Sequence, residues 1–585
     1  MIKPDYRRWA APALLALCFA VPFMATMKSY GLTWDDAYLR AFWGERNLRF
    51  YLSGDGAYLD PARIMPCDFG PGRLDLRQSP MMSAWHMVLP ASCSLAAACD
   101  NILRPFMSPI DGRHCLNLIL IAGFAFFLFA YSQRGGLSRA AFFAILALMT
   151  HPRFWAHAHQ NVKDVPEALF YFASLLCLVS LIETGKAGWS VGFALSWGLA
   201  LGTKANAVTV PFVAGLALLP LSGSGLDEIR RKPARVIGLI ALGLAGGALV
   251  ALFFWPIAWQ SPREAIAAHF RFLANHRAMN ENQEWTWRPV AMAIATMPPV
   301  HLIALAIGAG YAGIVRGAWR RMDFRAAAIC ALMPLRTAAP GALHYDDIRI
   351  FLEFLPAACL LMGFGIDGLL KRIECGGAEK AQGMTADERG GGMKHAHAKA
   401  RMGMSAMAAL ILAGPAIRQI AAYHPFELTY CNFLVGGAAG AARNHPDWTV
   451  QDYWCASYRL GCGWLRENVR DDAYLWTPVC WPIPAVTAGL ELPPNIRVLE
   501  PAGVDDDSAI AEMIRRGADR DIYVMAVDRP NLALSSYPLC LERGEVVKTF
   551  SNHGLDHLII RKISRAVPTD GEPAQEAVRR QSGKK

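Results

Sequence analysis

The stretch that decides the class of fold is His114-Cys-Leu-Asn-Leu-Ile-Leu-Ile-Ala-Gly-Phe-Ala-Phe-Phe-Leu-Phe-Ala-Tyr131. It contains no Asp, Glu, Lys or Arg, and as a helix it is long enough to cross the apolar part of a bilayer. Comparable stretches recur along the chain and predict about eleven membrane spans. They lie at about 11–29, 114–131, 139–156, 165–183, 190–203, 205–221, 235–256, 290–316, 325–338, 348–370 and 403–422.

The composition of the whole chain agrees with a membrane protein. Of its 585 residues, 54% are hydrophobic and 18% are charged, and the mean hydropathy is +0.23. Toward the C-terminus the pattern changes, because the β-type runs Asp521–Val527 and His557–Arg561 alternate with helical patterns such as Ser508–Arg516. We therefore predict a mainly α-helical, polytopic transmembrane bundle with a small C-terminal α/β domain on the outer side.

The domain organisation follows from these changes in pattern. Residues 1–422 are predicted to form the transmembrane domain, in which 30–113 is a first outer loop with interfacial helices. Residues 371–402, rich in Gly, Lys and Ala, are predicted to be a flexible cytoplasmic loop. Residues 423–565 are predicted to form the outer α/β domain, and 566–585 a disordered tail.

Basic residues predict the orientation. Arg and Lys recur in loops of one parity, which should therefore be cytoplasmic. The N-terminus is then inside, and the segment from Tyr423 onward is outside the cytoplasmic membrane. The net charge of +10 is spread over these loops and isolated outer positions rather than clustered in a soluble domain, so no nucleic-acid partner is expected.

The acidic pair Asp35-Asp36 follows the first apolar stretch directly. Acidic residues just outside a span are often only solvated loop. An ionisable group at membrane depth, however, is costly and commonly faces a cavity, a partner or a substrate. On position alone, a solvated loop is the better interpretation of this pair.

A second polar loop, His151–Pro166, lies between the third and fourth predicted spans. It contains Arg153, His157, Lys163 and Asp164, and Asp164 precedes a helix whose N-terminus favours a carboxylate. A helix cap and a functional site explain Asp164 about equally well. For the histidines a structural role is the better interpretation, although their spacing also suits a metal pair.

Two further cations are predicted at the outer ends of spans. Lys204 either anchors the membrane interface or holds an anion such as phosphate. Arg349, about a turn inside the tenth span, needs an anionic partner, which could be Asp346, Asp347 or a bound phosphate. Acidic motifs and cations on the same outer face describe a cavity for an anionic amphiphile, such as a sugar carried on a polyprenyl phosphate.

The ordered motifs resemble those of the C-type integral-membrane glycosyltransferases, the superfamily of protein O-mannosyltransferases and lipid A aminoarabinose transferases. Two departures from that pattern are Asp36, where the family usually has Glu, and Val162, where it usually has Pro. The motifs that carry the resemblance are Thr33–Asp36, His151–Phe154, Asn161–Asp164, Gly202–Asn206, Asp346–Arg349, His424–Asn432, Leu434–Gly437, Asp452–Trp454 and Ser457-Tyr458.

The resemblance implies transfer of a sugar from a polyprenyl-phosphate donor to an acceptor hydroxyl, with inversion. Either Asp35 or Asp36 would be the general base, with position favouring Asp35, and Asp164 would position the acceptor or a metal. The cations Lys163, Lys204 and Arg349 would stabilise the departing phosphate. Arg153 and His157 are predicted to bind substrate as well. The acceptor is left open among protein, lipid and polysaccharide, and so is a divalent metal cofactor.

Two other classes of protein compete with this interpretation. A transporter or flippase for an anionic lipid would usually have repeated halves with broken helices, and no such repeat is found in the sequence. A scaffold protein would need far fewer spans to anchor its outer domain. Transfer of sugar by the purified protein would separate an enzyme from both.

Overall fold

A computed structural model describes residues 9–33, 35–36, 41–60, 63, 89–219, 227–280, 282–314, 318–343, 346–382, 391–448, 450–480, 487–489, 491–501, 506–529 and 533–565. The predicted disordered tail, 566–585, lies outside the described residues. The chain divides into two compact units, of which the larger contains Arg73–Ala456 and the smaller contains Ser457–Ser551. The predicted domain boundary after residue 422 stays a prediction.

The larger unit is built from helices. Those described are α1 Ala10–Thr26, α2 Ala41–Ser53, α3 Ala91–Leu103, α4 Pro109–Ser132, α5 Ser138–Met149, α6 Pro152–Gln160, α7 Asp164–Thr184, α8 Ala187–Leu201, α9 Val210–Ala217, α10 Asp227–Arg231, α11 Pro233–Phe253, α12 Ile257–Gln260, α13 Pro262–Asn280, α14 Arg288–Ala295, α15 Pro299–Ile314, α16 Met322–Ala331, α17 Met333–Ala338, α18 Phe354–Gln382, α19 Gly391–Tyr423 and α20 Gly437–Asn444.

Six of the described helices are long and apolar enough to cross a membrane: α1, α4, α7, α11, α18 and α19. Helices α14 and α15 meet at a bend of 114° and make a seventh candidate if they are taken as one broken span. Shorter apolar helices of 10–17 residues, such as α5 and α8, accompany them. A mainly helical, multi-pass architecture is therefore confirmed, whereas the count of about eleven spans stays a prediction.

Two helices form the centre of the bundle. In the most apolar part of α7, 89% of the residues are buried, and in α18 83% are buried, against 17% in α11. In these parts, helices α7 and α18 are apolar on all sides and can therefore be enclosed by other helices. Helix α11 instead exposes leucines such as Leu242 and Leu249, as a lipid-facing helix does. The first residue of α7 is Asp164, so the central position of α7 brings this carboxylate to the middle of one end of the bundle.

Glycines allow α18 to lie very close to its neighbours. A Cβ atom on Gly363 of α18 would lie 2.1 Å from the carbonyl oxygen of Ala140 in α5. A Cβ atom on Gly308 of α15 would lie 2.2 Å from the carbonyl oxygen of Leu361 in α18. Backbones can approach this closely only where the side chain is a hydrogen atom, an arrangement common between membrane helices.

The segment predicted as a flexible loop, 371–402, is largely helical where it is described. Helix α18 continues to Gln382, and α19 begins at Gly391. Both parts contain Ala and Lys, which favour helix, beside their glycines.

The smaller unit contains a five-stranded sheet with the order β2-β1-β3-β5-β4, which confirms the predicted α/β domain. Strand β1 is parallel to both β2 and β3, and β3 is antiparallel to β5. The strands are β1 Ala473–Trp476, β2 Ile496–Val498, β3 Asp521–Val527, β4 Glu545–Asn552 and β5 Leu555–Ile563, and the helices are α21 Tyr458–Asn468, α22 Ser508–Arg516 and α23 Tyr537–Arg543.

Candidate active site

The loop between α6 and α7 is folded around Asn161. Its side-chain oxygen Oδ1 accepts hydrogen bonds from the backbone N–H groups of Lys163 (3.1 Å) and Asp164 (2.8 Å). Its Nδ2 donates to Oδ2 of Asp164 at 2.9 Å. A side-chain amide at this spacing caps the start of a helix and orients the first carboxylate. Asp164 is 1% exposed, so its orientation is decided by these contacts.

Asp164 lies between two of the predicted cations. Its Oδ1 is 2.9 Å from Nζ of Lys204, and its Oδ2 is 3.7 Å from Nη1 of Arg349. Burial acts to lower the pKa of Lys204, but the nearby carboxylates, Asp164 foremost, raise it above its ordinary value. The lysine is therefore charged, as a buried ion pair requires.

Arg349 is surrounded by carboxylates. Its Nη1 lies 3.0 Å from Oδ2 of Asp35, and its Nη2 lies 2.6 Å from Oδ2 of Asp346. With Asp164, three carboxylates approach one guanidinium that is only 8% exposed. The guanidinium also lies over the ring of Trp454, 4.8 Å from its centroid. Asp346 and Trp454 lie in the quoted motifs, but the sequence alone assigned Trp454 no role at the site.

The two carboxylates of the first acidic motif lie in different environments. The Asp35 side chain is 20% exposed and contacts Arg349, whereas Asp36 is 1% exposed. The backbone N–H of Asp36 donates to the carbonyl oxygen of Thr33 at 3.0 Å, in a tight turn. Of the two, Asp35 is therefore the carboxylate that a bound molecule could reach.

The segment before this motif is held by a motif from near the C-terminal end of the unit. The hydroxyl group of Tyr30 donates to Oε2 of Glu427 at 2.7 Å, and the N–H of Gly31 donates to the carbonyl oxygen of Ala456 at 3.1 Å. Burial and the Glu427 carboxylate raise the pKa of Tyr30, so the phenol stays protonated and remains a donor. Glu427 was not predicted as a site residue, although it lies in the His424–Asn432 motif.

Arg349 is carried on a short 3-10 turn, Asp347–Phe351. The residues that open this turn, Asp346 and Asp347, have φ angles of +45° and +67°. Two consecutive non-glycine residues in the left-handed region are uncommon and strained, so neighbouring structure must hold them.

Arg153 is one of the groups that hold the turn. Its Nη1 is paired with Asp347, its Nε donates to the carbonyl oxygen of Tyr430 at 2.8 Å, and its Nη2 lies 3.5 Å from Sγ of Cys431. Arg153 is 1% exposed. The structure thus joins this predicted substrate-binding residue to the Arg349 cluster through Asp347 rather than by direct contact.

His157 and Lys163 lie beside the cluster. His157 is completely buried, its Nδ1 is 3.3 Å from Nδ2 of Asn161, and its ring meets the edge of Trp454 at a centroid distance of 5.3 Å. Burial lowers the pKa of His157 to about 3, so the ring is neutral and supplies no cation. Lys163 precedes Asp164 at the start of α7 and has a half-buried side chain.

Ion pairs therefore connect Asp35, Asp164, Lys204 and Arg349, while Asp36, Arg153, His157 and Lys163 adjoin them. Within the described ranges, no three or more His, Cys, Asp or Glu side chains are arranged to hold a metal ion. The carboxylates around Arg349 face a guanidinium and do not converge on one point. Whether a divalent metal binds was left open by the sequence and stays open.

Two solved structures have chains that align with nearly all of this one. ArnT from Cupriavidus metallidurans, crystallised with undecaprenyl phosphate, is 13% identical, and the alignment covers 96% of this chain and 99% of that one at a TM-score of 0.49. The oligosaccharyltransferase AglB from Archaeoglobus fulgidus, in complex with an inhibitory peptide and a dolichol-phosphate, is 11% identical, with coverage of 97% and 75% and a TM-score of 0.47. Both scores lie below 0.5, and neither likeness assigns a function to this chain.

No curated protein matches the chain significantly. A family model does: residues 111–250 match the dolichyl-phosphate-mannose-protein mannosyltransferases. The matching segment includes α6, Asn161–Asp164 and Lys204, which supply one side of the cluster. Over this segment the chain is similar to a family of membrane glycosyltransferases, and the predicted resemblance to the protein O-mannosyltransferase superfamily is confirmed.

Proposed function

We propose that the protein is a membrane glycosyltransferase that moves a sugar from a polyprenyl-phosphate-linked donor to an acceptor hydroxyl group. The reaction would take place on the outer face of the cytoplasmic membrane, where the first acidic motif is expected from the distribution of basic residues. The acceptor would be a protein, a lipid or a polysaccharide. The observation that carries the proposal is the ion pair of Asp35 with Arg349, 3.0 Å apart.

The chemistry needs a base and a cation within reach of one another. In the proposed step the acceptor oxygen attacks the anomeric carbon and gives its proton to the Asp35 carboxylate. The bond from that carbon to the phosphate oxygen breaks, and the phosphate leaves with the bonding electrons. Arg349 would stabilise the charge that develops on the phosphate, because guanidinium groups bind phosphate through two parallel hydrogen bonds.

The different exposure of the two acidic residues supports Asp35 as the base. A general base must come within hydrogen-bond distance of the hydroxyl group that it deprotonates. Asp35 is 20% exposed, whereas Asp36 is 1% exposed and follows a turn made with Thr33. We assign the proton transfer to Asp35, with the buried Asp36 as its supporting neighbour.

Asp35→Asn tests the proposal. In membranes that contain the variant at the wild-type level, transfer of radiolabelled sugar from a polyprenyl-phosphate donor should fall about 100-fold or more. Asp227→Asn is the matched control, because Asp227 is an exposed carboxylate of α10 outside the site. Full activity of Asp35→Asn would overturn the assignment of the base.

A transporter or flippase is the second candidate, and one feature favours it. The bent pair α14 and α15 resembles the broken helices that transporters use. Detergent-solubilised protein separates the two functions, because micelles have no second compartment. Sugar transfer in micelles requires an enzyme, whereas a transporter would produce no new glycosidic bond there.

A further inference from the structure

We infer that Lys204 is a positioning residue that holds Arg349 in place and does not itself contact the phosphate. The inference rests on the proposed function, since it concerns how the same site binds its donor. Among the predicted cations, Arg349 would contact the polyprenyl-phosphate substrate, whereas Lys204 would hold the backbone that carries Arg349.

All three N–H donors of the Lys204 ammonium group have acceptors within the protein. An ammonium group has three N–H donors and no acceptor. Nζ of Lys204 lies 2.9 Å from Oδ1 of Asp164, 3.1 Å from the carbonyl oxygen of Arg349 and 3.0 Å from the carbonyl oxygen of Ile350. These three acceptors use all three donors, and the Lys204 side chain is only 15% exposed.

Lys204 contacts the backbone that carries Arg349. Both of its carbonyl acceptors belong to the turn Asp347–Phe351, which carries Arg349. Asn206 reaches the same turn, because its Nδ2 donates to the carbonyl oxygen of Ile350 at 3.0 Å. The carbonyl oxygens at one end of the turn are therefore held by two residues from the segment after α8.

Arg153 contacts the other end of this turn, at Asp347. The left-handed residues Asp346 and Asp347 begin it, and the buried Arg153 pairs with Asp347. A strained backbone persists only where its surroundings determine it. Arg153 at one end and Lys204 with Asn206 at the other form a clamp that sets the direction of the Arg349 side chain.

The test measures binding of tritium-labelled undecaprenyl phosphate to the purified full-length protein in lipid nanodiscs. Asn206→Ala distinguishes a positioning role from direct contact with the phosphate, because it removes a hydrogen bond to the turn without changing any charge. If the clamp positions Arg349, then Asn206→Ala and Lys204→Met should each weaken binding about tenfold. Neither change should weaken binding further in an Arg349→Gln background, since no guanidinium remains to be positioned.

Other outcomes overturn the inference. If Lys204 contacts the phosphate directly, Asn206→Ala will leave binding unchanged, and Lys204→Met will weaken binding additively with Arg349→Gln. Lys186→Met is the charge-matched control, because it removes an exposed lysine at the start of α8. Size-exclusion profiles check folding. If Lys204→Met does not fold, the uncharged change Asn206→Ala decides between a positioning role and direct contact with the phosphate.

The same measurement separates this inference from the proposed function. If the wild-type protein does not bind undecaprenyl phosphate, the proposed function fails and the inference fails with it. If the wild-type protein binds and Arg349→Gln weakens binding, but Asn206→Ala leaves binding unchanged or Lys204→Met weakens it further in the Arg349→Gln background, only the positioning role fails.

Discussion

Nη1 of Arg349 lies 3.0 Å from Oδ2 of Asp35, although the two residues are 314 positions apart in the chain. The pair joins the first acidic motif to the turn Asp347–Phe351, which precedes α18. Because Arg349 also contacts Asp346 and lies near Asp164, one guanidinium connects three separate segments.

Replacement of Arg349 should cost activity even when the positive charge is kept. The planar guanidinium reaches Asp35 with Nη1 and Asp346 with Nη2 at the same time, and a lysine ammonium cannot reproduce that fork. We expect both Arg349→Lys and Arg349→Gln to lower the rate of sugar transfer about 100-fold or more. Arg235→Gln, at an exposed position of α11, serves as the control. Near-normal transfer by Arg349→Lys would contradict the role of the fork.

Removal of Asp164 should destabilise the fold as well as lower activity. The change leaves the ammonium group of Lys204 largely buried without its carboxylate partner, at a cost of about 3–5 kcal/mol in the free energy of unfolding. Thermal unfolding of the purified protein should therefore show a lower midpoint for Asp164→Asn.

The double variant Asp164→Asn with Lys204→Met should recover part of that loss, because no unpaired charge remains. An unfolding midpoint for the double variant below that of Asp164→Asn alone would argue against the ion pair as the source of the effect. Asp227→Asn, at an exposed carboxylate, should leave the midpoint unchanged.

The buried imidazole of His157 predicts a pH dependence of stability. Its pKa is lowered by burial from 6.5 to about 3. Between these values the unfolded chain binds a proton that the folded chain does not, so the free energy of unfolding falls as the pH falls from 6.5 toward 3. Above pH 7 this contribution is constant. His157→Gln should make the acid-side decline in unfolding temperature shallower than in the wild type, and equal slopes would exclude the effect.

Two glycines of α15 offer a matched test of helix packing. A Cβ atom on Gly308 would meet the backbone of Leu361 at 2.2 Å, whereas a Cβ atom on Gly310 would have no neighbour within 4 Å. Gly308→Ala should lower the free energy of unfolding by about 1–3 kcal/mol, because two backbones must separate. Gly310→Ala should be neutral or slightly stabilising, since Ala favours the helix. The comparison is made by thermal unfolding, and equal midpoints for the two variants would disprove the close contact.

Much of the site could be predicted because its residues lie in short ordered motifs. Asp35, Asp164, Lys204 and Arg349 were each singled out by a charged side chain beside an apolar stretch, and ion pairs join them in the structure. Trp454 lay in a quoted motif without a predicted role. Its place over Arg349 could not be deduced, because nothing in either local sequence indicates contact with the other.

The partners of the cations were not predictable for a related reason. Arg153 and Lys204 were both predicted to bind substrate, as charge and position suggest. In the structure their donors meet Asp347, Asp164 and backbone carbonyl oxygens. A backbone carbonyl oxygen is present at every residue, so no sequence pattern indicates which one a lysine will reach.

The sequence by itself determined the class of fold, the helical membrane bundle and the strands of the smaller unit, because the length and period of apolar runs are local properties of the chain. It also determined which charged groups were available at one end of the bundle. Only the tertiary structure decided which partners those charged groups contact. Lys204 reaches a carbonyl oxygen 145 positions away only after α7, α8 and α18 have packed, and that packing makes the backbone that carries Arg349 a partner of its ammonium group.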